Sequence, residues 1–198
     1  MLKRLVLVAL VILMGVFIWK NLPKSTIQEA TQTEFVTETS FKDIQRAMRK
    51  GNFEQETLRI NGAELVSKQW LDKHFNIQRP LRKDRHWEFS GRLLAKVRVD
   101  NQHAGKMEVE LVEDIFFATD RIEVKTRLAK PLGIGVSDIY QEICIVPEGE
   151  KARVKLSSQI TLKRFVPFFM KDYATKEVKG ATVDSVSRME TVIRNLKR

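Results

Sequence analysis

Residues 159–198 read QITLKRFVPFFMKDYATKEVKGATVDSVSRMETVIRNLKR, and the apolar spacing changes partway through them. Up to Phe165 apolar and polar side chains alternate, the period of a strand with one buried face. From Met170 onward they recur every three or four positions, the period of a helix. Pro167 stands at the changeover, where its fixed φ and missing N–H suit a first helical turn. The spacing predicts a last strand with Ala152, Val154, Leu156, Ile160 and Leu162 inward, then a helix from Pro167 to Lys197, about 45 Å long if straight. Its stripe runs through Met170, Tyr173, Ala174, Val178 and Ala181, then Val186, Met189, Ile193 and Leu196, with a kink expected at Gly180. A helix of that length needs a surface to cover.

The preceding residues supply one. Trp87, Phe89, Leu93, Val97 and Val99 share an alternating face, and the turn DNQHAGK (100–106) returns the chain into Met107, Val109, Leu111, Ile115 and Phe117. TDR (119–121) turns it again into Ile122, Val124 and Leu128, and IYQEICIV (139–146) followed by PEGEK (147–151) leads to the last strand. Hairpin-length turns and one-sided alternation predict an antiparallel sheet with a single apolar face.

Upstream, Ser25 to Thr39 is Thr-rich and alternating, an expected edge strand. SFKD (40–43) is a capping box that opens a helix running to Lys50, with Phe41, Ile44, Ala47 and Met48 buried and Gly51 closing it. NGAE (61–64) repeats the device and predicts a second helix over 61–75, with Ala63, Val66, Trp70 and His74 on one face. RPLRKDRH (79–86) reads as a charged loop.

The order is strand, two helices, antiparallel strands and a long last helix, with QITLKRFVPFF feeding that helix. It resembles the START and Bet v 1-like helix-grip superfamily over Glu29 to Lys197. The resemblance implies an α+β fold: a curved antiparallel sheet of six or seven strands gripping the C-terminal helix, with two short helices after the first strand. Six strands are legible, and the resemblance places a seventh around Phe53 to Ile60. It also implies a cavity between sheet and helix, where members often hold lipids, sterols or other apolar molecules. Expected cavity-lining residues are Trp87, Phe89, Leu111, Ile115, Phe117, Met170, Tyr173 and Met189. The apolar glycine-bearing loop Leu132, Gly133, Ile134, Gly135 and Val136 is the expected ligand gate.

The amino terminus has a different character. Leu5 to Trp19 carries no polar side chain, and fifteen helical residues span about 22 Å. With Leu2 and Leu22 counted and Lys3, Arg4 and Lys20 reaching outward, the stretch becomes long enough for a bilayer. Leu5, Leu10, Leu13, Phe17 and Trp19 are the expected anchor residues. A cleaved signal peptide is the competing reading, but FIWKNLPKS offers no small-residue cleavage site. The expectation is a single-pass anchor over 1–24 in the cytoplasmic (inner) membrane, with residues 25–198 forming one extracytoplasmic domain. Charge fits it: net +10 concentrates in residues 1–24, with four basic side chains and no acid, and in 151–198, with twelve basic against four acidic. A basic last helix would meet anionic headgroups, or would serve only as a solvated face.

Chemistry is sparse. Cys144 is the one cysteine, so no internal disulfide forms, and its strand setting reads as a small core residue. His74, His86 and His103 stand apart with no metal-ligand spacing, and no motif calls for a cofactor. GIG (133–135) lacks the remaining spacing and the strand–helix setting of a phosphate loop. Glu113 and Asp114 are adjacent in a strand and point to opposite faces, so whichever faces inward would be a cavity acid of raised pKa. No basic-aromatic arrangement suggests nucleic acid. The leading expectation is a membrane-anchored, non-enzymatic carrier of an apolar or lipid-like molecule. A protein-interaction scaffold for envelope assembly is the alternative, and a cyclase- or hydrolase-like enzyme with a cavity carboxylate is weaker.

Overall fold

The computed structural model describes residues 24–78, 86–101, 105–133 and 135–196. The expected anchor, His103, most of the charged loop and Ile134 lie outside them. Among the described residues, no helix is long and apolar enough to cross a membrane.

Seven strands form one antiparallel sheet: β1 (Ser25–Thr37), β2 (Ala63–Gln78), β3 (His86–Asn101), β4 (Gly105–Ala118), β5 (Ile122–Leu128), β6 (Val136–Glu148) and β7 (Lys151–Arg164). Their spatial order is β1-β7-β6-β5-β4-β3-β2, so every neighbour but one is a hairpin partner and the first strand pairs with the last. Between β1 and β2 lie two helices, α1 (Phe41–Arg49) and α2 (Asn52–Asn61), and the chain ends in α3 (Lys171–Asn195). This strand order with a long terminal helix is the helix-grip architecture.

Ser40 caps α1 as the sequence implies. The Asp43 amide donates to Ser40 Oγ at 3.2 Å, and Ser40 Oγ donates back to Asp43 Oδ2 at 2.8 Å. α1 buries Phe41, Ile44 and Ala47. Their neighbours in the main core include Ile122, Ile145, Val154 and Ile193.

Two expectations between Gly51 and Gln78 are overturned. The stretch 53–60 is helical, not a strand, and 63–78 is a strand, not a helix. Gly62, at φ +59°, closes α2 in a left-handed cap, so NGAE ends a helix instead of starting one. The register of β2 on β3 slips between Leu65 and Ser67 and again between Trp70 and Asp72. Each bulge adds a residue to a two-residue period, so inward positions become Ala63, Leu65, Lys68, Trp70, Lys73, Phe75 and Ile77, an uneven spacing that hides the strand's alternation.

The final helix also differs from expectation. Residues 168–170 form a 3₁₀ turn capped by Pro167, α3 begins at Lys171, and it runs unbroken through Gly180. Its buried face is Val178, Thr182, Val186, Met189, Val192 and Ile193, which leaves Ala181 exposed. α3 packs on β1 and β7 and meets α2 at its side. It covers one flank of the sheet, not its full width.

Candidate functional site

The concave face of β2 to β6, roofed by α1, α2 and the upper part of α3, encloses a cavity of about 810 Å³. That lies within the roughly 300–1,000 Å³ typical of small-molecule sites. α2 turns Phe53, Glu54, Thr57 and Leu58 towards it, one helical face that alternation reasoning could not anticipate. Two polar contacts hold the roof: Lys68 of β2 bonds Glu54 of α2, and Arg188 Nη1 of α3 donates to Asn61 Oδ1 at 3.3 Å.

Of the residues expected to line a cavity, Trp87, Phe89, Leu111, Ile115, Phe117 and Met189 do so. Met170 and Tyr173 do not: they are 43% and 61% exposed at the start of α3, beyond the part of the helix that reaches the core. From the expected gate, Leu132 lines the cavity, while Val136 packs beside Leu128 and Val109. Gly133 and Gly135 are turn residues outside the lining, and Gly135 holds φ +95° with Arg164 against it. Cys144 is half-buried and alternates with the inward Ile143 and Ile145, so it sits on the opposite face, not in the core.

The wall is not uniformly apolar. Following the cross-strand partners from one edge of the sheet to the other gives Trp70, Leu93, Glu113, Thr126, Gln141, Ser158 and Thr31. Directly opposed residues share a face, so this is one transverse row on the concave side, and its last five members are polar. It separates two apolar stretches of the cavity wall. On one side are Trp87, Phe89, Ile115, Phe117, Val124 and Ile143; on the other are Val97, Val109, Leu111, Leu128, Leu132 and Ile139.

Sequence reasoning missed this row, although its signal was present. In four strands one polar residue interrupts an apolar alternation: Leu111-Glu113-Ile115, Val124-Thr126-Leu128, Ile139-Gln141-Ile143 and Leu156-Ser158-Ile160.

α3 satisfies the β1 end of the row. Thr182 Oγ1 donates to the Lys179 carbonyl at 2.8 Å and lies 2.7 Å from Thr31 Oγ1, and Gln141 Nε2 donates to Ser185 Oγ at 2.8 Å. Ser158 Oγ is buried with no partner among the described residues. The middle of the row faces the cavity: Glu113, Thr126 and Gln141 all line it.

Glu113 is the inward member of the acidic pair. Asp114 points to the convex face, where Arg92 Nε donates to its Oδ1 at 2.6 Å. Burial holds the Glu113 carboxyl above the usual carboxylate range; Glu54 pushes the same way and Lys68 opposes them. Among the described residues no side chain hydrogen-bonds it. The aromatic wall nearby is ordered, with Trp70 and Phe89 edge-to-face at 5.7 Å. Gly91 makes this possible, because a Cβ there would stand 2.7 Å from the Trp70 ring.

The sequence matches no family model, and no curated protein matches it. Solved structures are similar to it at low identity. Norcoclaurine synthase from Thalictrum flavum matches at 16% identity over 87% of this chain and 94% of that one, with a TM-score of 0.45. A protein from Thermus thermophilus matches at 14% identity over 85% and 96%, with a TM-score of 0.47. A START superfamily protein from Mycobacterium smegmatis matches at 16% identity over 84% and 94%, with a TM-score of 0.44.

Proposed function

We propose that this chain is a membrane-anchored, non-enzymatic domain that binds an apolar or lipid-like molecule between its sheet and its helices, on the extracytoplasmic side of the inner membrane. The observation that carries the binding role is the cavity itself, about 810 Å³ and walled mostly by aliphatic and aromatic side chains. Apolar surface is worth about 25 cal/mol per Å² when removed from water, so a guest of matching shape gains by covering this wall.

Support for the anchor comes from the residues 5–19 run and from where the chain enters the fold. Ser25 pairs with Arg164, so the N-terminal stretch joins the sheet at the end where β7 leaves it. Lys24, Lys163, Arg164 and Lys171 are exposed at that end, and so are Phe168 and Phe169, at 91% and 72%. Aromatic and basic side chains together suit a headgroup layer. Leu132 belongs to the loop at the same end, so the chamber it lines would open towards the bilayer.

The scaffold reading draws on β2, an edge strand that exposes Leu65, Val66, Leu71, Phe75 and Ile77. The enzyme reading gains a cavity carboxylate in Glu113, but its nearest charged neighbours, Glu54 and Lys68, are paired with each other.

Mass spectrometry of the full-length protein extracted in mild detergent tests the proposal. A stoichiometric apolar small molecule is the expected result. A stoichiometric protein partner with no extractable apolar molecule would overturn it in favour of the scaffold.

A further inference from the structure

The polar row says more about the guest than the cavity volume does. Glu113, Thr126 and Gln141 lie at the boundary of the two apolar stretches of wall, and all three line the cavity. An amphiphile with a polar head at one end and a single tail would set carbon against one part of this wall that wants a hydrogen bond. A buried polar group without a partner loses more than an ordinary hydrogen bond gains, so the middle of the wall is selective.

The unspent groups there are mostly acceptors. Gln141 uses one of its two Nε2–H groups on Ser185, which leaves its carbonyl oxygen and a second N–H for the cavity. Glu113 offers a carboxyl with no hydrogen-bond partner among the described residues, and Thr126 offers a hydroxyl that works in either sense. Lys68 lines the cavity too but is held by Glu54.

Resting on the reading of the cavity as a ligand site, we propose that it selects an apolar molecule carrying one hydrogen-bond donor, an alcohol or an amine, near its middle. The donor sits at Thr126, between Glu113 and Gln141. One apolar limb lies against Trp87, Phe89 and Phe117, and the other lies against Val97, Val109 and Leu111.

Four eleven-carbon probes test this on the full-length chain: undecane, 1-undecanol, 6-undecanol and 6-aminoundecane. Trp70 and Trp87 line the wall, so their fluorescence reads binding directly. The central alcohol and central amine are expected to bind about tenfold tighter than the terminal alcohol and the alkane. Glu113→Gln should remove the advantage of the amine, and Thr126→Val, which keeps the side-chain shape, should weaken that of the alcohol. Alkane binding should survive both. Which central probe leads tells whether the donor is an alcohol or an amine. Equal binding of all four probes, or a central preference that survives both substitutions, overturns this inference and leaves the cavity reading standing. Binding of none overturns both.

Discussion

Burial in an apolar cavity disfavours the charged form of a carboxyl group, and Glu113 is in that position. The consequence for stability has a definite sign. Its native pKa lies above the ordinary 4.5, so between those two values the folded state holds a proton that the unfolded state has released. Stability contributed by Glu113 is complete below the ordinary value and is lost as pH rises through the native one. Glu113→Gln removes this dependence. In urea titrations across that window, the parent should lose stability relative to the variant as pH rises; parallel profiles would contradict the burial. The signal for this residue was half legible in the sequence. Adjacent Glu113 and Asp114 had to point apart, but nothing local said that Asp114 would find Arg92 outside while Glu113 would find no hydrogen-bond partner among the described residues inside.

At the scale of elements, burial along α3 is uneven and its energetics should follow. Ile193 is fully buried among Ile44, Ile145 and Val154, whereas Tyr173 is 61% exposed. Ile193→Ala should cost about 2–5 kcal/mol in chemical denaturation. Tyr173→Ala should stay within about 0.5 kcal/mol, as surface changes do. Similar losses from both would mean that the helix packs along its whole length. The stripe was visible in sequence from Val186 to Leu196 because three- and four-residue spacings there coincide with core contacts. Its first turns misled, since Met170 and Tyr173 keep the helical phase in a part of the helix that overhangs the sheet. β2 was unreadable for another reason: bulges at two points erase its alternation, and its one-sided contact with α2 leaves most side chains exposed. β3 to β7 were readable because five successive strands keep one apolar face. The polar row stayed hidden while each strand was read alone, and only cross-strand register brings its members together.

For the whole molecule, the two ends of the sheet differ in chemistry. The end where β1 begins and β7 leaves carries Phe168 and Phe169, edge-to-face at 5.6 Å, among exposed lysines and arginines. If this end rests on the bilayer, Phe168→Trp provides a reporter. Once the parent spectrum is subtracted, its emission should shift to shorter wavelength when the full-length chain is reconstituted into vesicles containing anionic lipid, and brominated lipid should quench it. Emission matching that of a water-exposed indole would place this end away from the membrane.

The bulges that disguised β2 have a further effect at the boundary of the molecule. β2 is sixteen residues of edge strand with one paired neighbour, long enough to template a second chain. Its two register slips break the even spacing of outward N–H and C=O groups, so no straight strand can bond along more than a short run of it. Lys73, folded over the Trp70 ring at 4.9 Å, adds a charge to the same stretch. The irregularity that shapes the inner wall therefore also acts as a guard against polymerisation, keeping an apolar, half-open sheet from growing into a fibre.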